Sequence, residues 1–285
     1  MIYIITPVFN RKKFTRNYLI ALDKQTNKDF KIIIVDDGSN DGTVEMIEKE
    51  FSDVVLLKER GNLWWAEATN IGVRYALEHD ATYIMTLNDD TVPFEDYIEN
   101  IYKGIIEKPN ALHGAFAINI LNNEPVFGGE ILNWKTGKYE DVLSTIPKES
   151  QNGLKEVNVF PGRGLVIPAK VFKDIGYYDS KNFPQTVADL DFTCRAFTYG
   201  YKIFCNYDAK IGMYTEESGG VALVKNRSWK NYYNHLFSMK GGGNLKWFII
   251  FTFKNSPKKY LFQYLIRGVA IRIFGYPIKW LMEKL

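Results

Sequence analysis

Short apolar runs recur along the first hundred residues, separated by polar stretches with helical spacing. "IYIIT" (2–6), "KIIIV" (31–35), "VVLL" (54–57) and "TYIMTL" (82–87) are continuous rather than alternating. A strand buried on both faces has this pattern, because neither face can carry polar side chains. The stretches near 11–25, 41–51, 64–78 and 93–107 instead repeat apolar residues at helical spacing. Strands alternating with helices require right-handed crossovers. The pattern therefore predicts an α/β fold with a mostly parallel central sheet and flanking helices. Residues 111–160 change character, and Asn122-Asn123, Gly128-Gly129 and "NWKTGKY" mark strands and hairpins. Helical patterns return near 168–175 and 188–199, followed by the apolar run "YKIFC" (201–205).

Composition adds a division along the chain. The 285 residues, 46% of them hydrophobic, suffice for one substantial core or one domain with an appendage. The net charge of +3 conceals a split. Residues 225–285 carry twelve Lys and Arg against the single acid Glu283, whereas residues 1–224 carry 24 bases and 32 acids. An acidic body with a basic, aromatic-rich tail predicts an anionic surface as the tail's partner. Cys194 and Cys205 are too few for a disulfide framework or a zinc cluster, so a reducing compartment is expected. No basic leader or cleavage site precedes "IYIIT", and no signal peptide is expected. The longest apolar run, "WFIIFTF" (247–253), falls well short of the ~20 residues that span a bilayer.

Open parallel sheets bind ligands outside the carboxyl ends of their strands, so the loops there are the informative places. They read "TPVFNR", "DDGSNDGT" (36–43) and "NDDT" (88–91). Together they bring Asp36, Asp37, Asp89, Asp90 and Asn88 into one crevice. Taken alone, Asp36 and Asp37 read equally well as turn residues, with Ser39 or Asp41 capping the next helix. Two acidic clusters at one sheet edge repel each other unless a cation or ligand donors offset them. No GxGxxG follows the first strand and no GxxxxGK[ST] exists, which removes dinucleotide and phosphate-loop chemistry. Hard oxygen ligands at a strand end suit Mg²⁺ or Mn²⁺ bound together with substrate phosphates. Such an ion would neutralise charge on a departing nucleotide.

Five blocks, in order, carry a resemblance. They are "IITPVFNR", "QTNKDFKIIIVDDGSNDGT", "GNLWWAEATNIGVRYAL", "TLNDDT", and "FPGRGLVIPAKVFKDIGYYD" followed by "ADLDFTCRAFTYGYKI". Over roughly residues 1–215 the chain resembles the inverting family 2 glycosyltransferases, whose GT-A fold binds nucleotide sugars. The resemblance implies a catalytic domain over 1–220, with a nucleotide-sugar half (1–110) and an acceptor-side half (111–220). Residues 221–285 would then form a basic helical extension. It also implies roles. Thr6, Pro7 and Asp37 surround the donor base, Asn62 belongs to the donor segment, and Asp89 contacts or supports the donor. Asp90 is the main metal ligand. Asn88 stands where the family usually has an aspartate, so it would ligate more weakly. Asp189 matches the general base, with Asp191 supporting the loop or the acceptor.

Transfer with inversion is an in-line displacement at the anomeric carbon. It needs a base on the acceptor face and a stabilised leaving group on the other. Asp189 has a second reading as an ordinary first-turn acid of the helix that "DLDFTCRAF" begins. One of Trp64 and Trp65 is expected in the core, and the other on a sugar or base; Trp65 is counted with the acceptor side. Arg163, between two glycines, reads either as a phosphate partner or as a structural loop residue. The histidine that often completes the metal site has no counterpart in "AKIGMYTEESGG" (209–220), where Glu216 and Glu217 are the candidate substitutes. The helix pattern "YLFQYLIRGVAIRIFGYPIKWL", with Arg267, Arg272 and Lys279, suits a membrane interface with anionic lipid. Its other reading is a core-completing or dimer-forming helix. The expected function is cytoplasmic, metal-dependent sugar transfer at the membrane's inner face, in surface polysaccharide synthesis. The expected acceptor is a saccharide, free or lipid-linked. Rival readings are a nucleotidyltransferase-like enzyme and a non-catalytic nucleotide-sugar- or carbohydrate-binding protein on the same fold. No nucleic-acid partner is expected.

Overall fold

The computed structural model describes residues 1–214, 227–239 and 241–282. The first half builds β1 (Ile2–Val8), α1 (Lys12–Asp23), β2 (Phe30–Asp36), α2 (Thr43–Glu50), β3 (Val55–Lys58), α3 (Trp64–Glu78) and β4 (Tyr83–Thr86). Its strands lie side by side in the order β3-β2-β1-β4, all parallel. Alternation inside β1 shows why its run is apolar throughout. Ile2 and Ile4 join Tyr18, Leu22 and Ile101 on one face of the sheet, while Tyr3 and Ile5 join Val73 and Ala76 on the other. Both faces are covered by helices, so no position in the strand can be polar at low cost.

Beyond β4 come β5 (Thr91–Pro93), α4 (Tyr97–Glu107), β6 (Leu112–Asn119), β7 (Pro125–Phe127), β8 (Glu130–Asn133) and β9 (Lys138–Asp141). They are followed by β10 (Leu154–Val157), β11 (Leu165–Pro168), α5 (Ala169–Ile175), α6 (Ala188–Tyr199) and β12 (Ile203–Met213). This half continues the same sheet in the order β10-β12-β6-β11-β4, with β5 on β12 and β7 on β6. Here the pairing is mixed: β11 runs antiparallel to both β4 and β6, and β12 runs parallel to β6. The helix expected over 93–107 begins at Tyr97, because Thr91–Pro93 first pairs with Ile211–Met213. Cys194 and Cys205 are both buried and unpaired.

A paired contact between the halves fixes where α6 begins. The Asn70 amide of α3 donates to the Tyr178 carbonyl at 2.9 Å and accepts the Tyr178 N–H at 3.0 Å. Glu67, one turn earlier, accepts a 2.6 Å bond from the Ser180 hydroxyl. Burial raises the Glu67 carboxyl, but hydrogen bonds from Ser180, Arg74 and Asn70 outweigh it and hold it below its ordinary 4.5. The chain entering α6 is thereby pinned to the helix after β3.

The basic segment forms α7 (Trp229–Phe237), α8 (Leu245–Asn255) and α9 (Leu261–Met282). Trp247, Phe248 and Phe251 of α8, with Tyr264 of α9, are buried in the same apolar cluster as α3 and α6. Among the described residues no helix is long and apolar enough to cross a membrane.

Candidate functional site

Three loops at the carboxyl ends of β1, β2 and β4 enclose a cavity of about 260 Å³. Pro7, Asp37, Trp64, Asn88, Asp89 and Asp90 are in its wall. The acidic residues in and around it do different jobs. Asp36, just outside the wall and 2% exposed, accepts the N–H groups of Gly38 and Ser39 and closes its own turn. Asp37 accepts the N–H groups of Leu63 and Trp64 at 3.0 and 3.1 Å and so clamps the loop ahead of α3. That loop is conformationally costly: Asn62 and Trp64 have φ of +68° and +62°. Side chains rarely adopt that region, and such strain persists only where surrounding bonds impose it.

Asp89 is 6% exposed, with its carboxylate 3.0 Å from Arg11 Nε and accepting the Thr15 hydroxyl at 3.1 Å. Burial, opposed by the nearby Arg11, pushes its carboxyl up to about 6. Asp90 is more open, with Arg11 3.6 Å away. Asn88 turns its side-chain oxygen to the Trp65 indole N–H at 3.1 Å. An indole can only donate, so that oxygen accepts from Trp65 and keeps a second lone pair.

Trp65 links this wall to the acceptor side. Its ring meets Tyr178 edge-on at 5.2 Å and packs so tightly on Gly162 that an added Cβ there would lie 2.5 Å from it. Gly162 N–H donates 2.9 Å to Asp189, whose other oxygen accepts the Leu190 N–H at 2.9 Å. Just before them Val187 has φ +73° and ψ −17°, a strained geometry for a β-branched residue, and it turns the chain into α6. Asp189 is thus half-buried at a helix N-terminus, held by two backbone donors beside the Trp65 platform.

Asp191, two residues on, is 0% exposed. It pairs with Arg195 at 2.9 Å, with Lys254 of α8 at 3.0 Å, and accepts the Asn255 amide at 2.9 Å. It ties α6 to the basic segment and does not reach the cavity wall. Thr6 is buried with its hydroxyl 2.7 Å from Tyr18, beneath the wall. Asn62 is exposed on its loop, outside the wall. Arg163 faces Phe127, 5.8 Å from the ring centre, and partly opposes the rise that burial and Asp141 impose on the Glu130 carboxyl. Both tryptophans line the cavity, and Trp65 also packs on the core's margin.

Two residues of the site are not singled out by the sequence patterns. Arg11 follows the first strand, and its signal is there to be found: four Asp in one crevice require a cation, and "TPVFNR" supplies one. Gln185 lines the cavity and accepts the Trp65 N–H at 3.2 Å, with nothing in the sequence to mark it.

A divalent ion suits this wall in one way. Asn88 accepts from Trp65 and Asp89 pairs with Arg11 and Thr15, so Asp90, with Arg11 3.6 Å away, is the more open carboxylate. Mg²⁺ and Mn²⁺ are commonly held by one or two carboxylates plus substrate phosphates and water. Among the described residues no three His, Cys, Asp or Glu are gathered closely enough to hold an ion themselves. Glu216 and Glu217 lie outside the described residues.

Comparison with known proteins agrees with this geometry. The glycosyl transferase family 2 model matches residues 3–161, more than half of the chain, and the glycosyl transferase family group 2 model matches residues 83–283. The glycosyltransferase GlyA of Streptococcus pneumoniae is 33% identical over 109 residues, covering 37% of this chain and 15% of GlyA. The chain thus spans only a small part of that relative's length. Among solved structures, GalNAc-T7 with UDP, GalNAc and Mn²⁺ superposes with a TM-score of 0.61 at 13% identity, covering 75% of this chain and 43% of that one. S. aureus TarS 1-349 in complex with UDP has a TM-score of 0.58 at 14% identity, covering 98% and 91%. At such identities the likeness bears on fold alone. With the matched family model, the chain belongs to glycosyl transferase family 2 and has its GT-A fold.

Proposed function

We propose that this chain transfers a sugar, with inversion, from a nucleotide diphosphate donor to a hydroxyl of a saccharide acceptor. The observation that carries this reading is one chain of contacts leading out of the cavity wall. Asp37, Asn88 and Asp90 on the donor side are joined through Trp65 and Gly162 to Asp189 on the acceptor side. Asp37 and the loop it clamps receive the nucleotide. Asp90 would hold Mg²⁺ or Mn²⁺, which would supply positive charge to offset that on the leaving diphosphate. Asp189 takes the proton of the acceptor hydroxyl as its oxygen attacks the anomeric carbon. The bond to the diphosphate breaks on the opposite face, so configuration inverts. Two backbone donors fix the carboxylate in position for this.

The donor half of the reading is tested by thermal melting with nucleoside diphosphates and Mn²⁺. Together they should raise the melting temperature of the wild type but not of Asp37→Ala, while either alone does less. No rise with any nucleoside diphosphate would remove the reading.

The outer face of α9 supports an anionic bilayer as the enzyme's working surface. Phe262, Ile266, Phe274, Ile278 and Leu281 recur every three to eight residues and are each more than half exposed. Arg267 and Lys279 are exposed on the same helix. Apolar residues flanked by bases match the boundary between headgroups and acyl chains. Sedimentation with anionic liposomes should capture the chain, and Phe274→Glu should release it. Unchanged solubility contradicts membrane docking, and concentration-dependent dimerisation lost in the same variant assigns the face to a second copy instead.

A further inference from the structure

A second cavity, of about 180 Å³, adjoins the turn that presents Asp189. Thr186, Val187 and Leu190 of that turn line one side, and Arg272 of α9 with Gly241 and Gly242 lines another. The sequence pattern groups Arg272 with the interface bases, but its side chain is turned inward. Gly268 explains how. A Cβ there would lie 2.0 Å from the Phe248 ring, so only glycine lets α9 settle on α8. One turn later the Arg272 guanidinium is stacked 3.7 Å over the same ring.

This arginine is poorly satisfied. Among the described residues its one hydrogen bond runs to the Gly268 carbonyl at 3.2 Å, its Nε is sealed from solvent without a partner, and no carboxylate forms an ion pair with it. Burial and Arg272 itself favour the neutral form of the neighbouring His235. Burial lowers its affinity for a proton, while Tyr264 and Tyr139 act the other way. A partly buried cation without an anion is unfavourable, and an arriving anion offsets part of that penalty. At about 30 Å³ per water, the cavity has room for about six, enough for one small anionic group with part of its hydration. A planar guanidinium matches phosphate and carboxylate oxygens two at a time.

We propose that this cavity is an anion subsite of the acceptor, in which Arg272 binds a phosphate or carboxylate carried by the acceptor saccharide and so brings the neighbouring hydroxyl to Asp189. The role given to Asp189 rests on the function proposed above; the binding of the anion does not. The basic segment thereby contributes a substrate contact as well as a surface.

The test is calorimetric titration of the full chain with inorganic phosphate, and in a second arm with acetate, after the donor pocket has been filled with UDP and Mg²⁺. Phosphate or acetate should bind the wild type saturably, and the arm that binds more tightly identifies the group. Arg272→Gln should weaken binding by roughly ten- to a hundredfold, while Arg267→Gln on the exposed flank leaves it unchanged. Gly242→Leu provides a variant that should fold in any case, since an added Cβ meets nothing within 4 Å there. Its side chain should fill the cavity and block the anion. Equal affinity in the wild type, Arg272→Gln and Gly242→Leu overturns the subsite, as does the absence of saturable binding to the wild type. UDP that fails to bind in the first step counts against the donor reading alone.

Discussion

The donor and acceptor halves of the site are built in opposite ways. On the donor side the groups come from loops directly after β1, β2 and β4, and they brace one another across short distances: Arg11 on Asp89, Asp37 on the loop at 63–64. On the acceptor side a single strained turn presents Asp189, and its support comes from elements outside that turn. Gly162 donates to Asp189, Tyr178 and Ser180 are pinned by α3, and the helix carrying the turn is tied through Asp191 to α8. The difference teaches that the basic segment is part of the machinery that holds the acceptor side in shape. It also separates two aspartates two residues apart: Asp189, the proposed base, and Asp191, which ties α6 to α8.

That separation is easiest to break at Asp191. Removing its carboxylate leaves Arg195 and Lys254 facing a buried hole. Asp191→Ala should therefore cost about 3–5 kcal/mol of stability in urea denaturation. A loss under about 1 kcal/mol would mean that the two halves do not depend on this tie.

Next comes the link between the halves. In Gly162→Ala the new methyl collides with Trp65 and displaces the N–H that holds Asp189. Turnover should fall roughly ten- to a hundredfold with nucleotide affinity kept, measured as separate binding and rate constants. Equal losses in both would place Gly162 in the donor half instead. Trp65→Phe keeps most of the ring but deletes the indole donor to Asn88. It should cost about 1 kcal/mol of stability, read from the melting curve, with only a severalfold change in rate.

The smallest effect concerns Glu67. Its carboxyl is held below 4.5 in the folded chain, so its contribution is present above that value and disappears as pH falls through the lower, folded-state one. The stability advantage of wild type over Glu67→Gln should be about a few tenths of a kcal/mol at neutral pH and vanish in acid. An advantage that grows toward low pH would reverse the sign assigned here.

Much of the donor half is legible in the sequence because its information is local. Each strand is a contiguous apolar run, and each post-strand loop comes within a few residues, so "DDGSNDGT" and "TLNDDT" can be placed at one sheet edge without coordinates. The division of labour is less legible. Nothing in "NDD" says that an indole more than twenty residues earlier takes the Asn88 oxygen, or that Arg11 sits on Asp89. The sequence casts Asp191 as a support of the loop or the acceptor, but does not show that two of its partners lie 63 and 64 residues away on α8. Val187 is invisible, because β-branched residues so rarely adopt positive φ that no pattern rule would put one there. The tail's composition predicts a basic, apolar surface. It cannot predict that Gly268 turns Arg272 inward.

The chemistry of the acceptor half turns most directly on Asp189. Replaced by Asn, the side chain keeps its size and one accepting oxygen for the two backbone N–H groups, but can no longer take a proton. Sugar transfer by Asp189→Asn should fall by about 10²–10⁴-fold while UDP binds as tightly as to the wild type. Undiminished transfer with intact UDP binding would show that this carboxylate is not the base, and the role given to the acceptor half would fall with it.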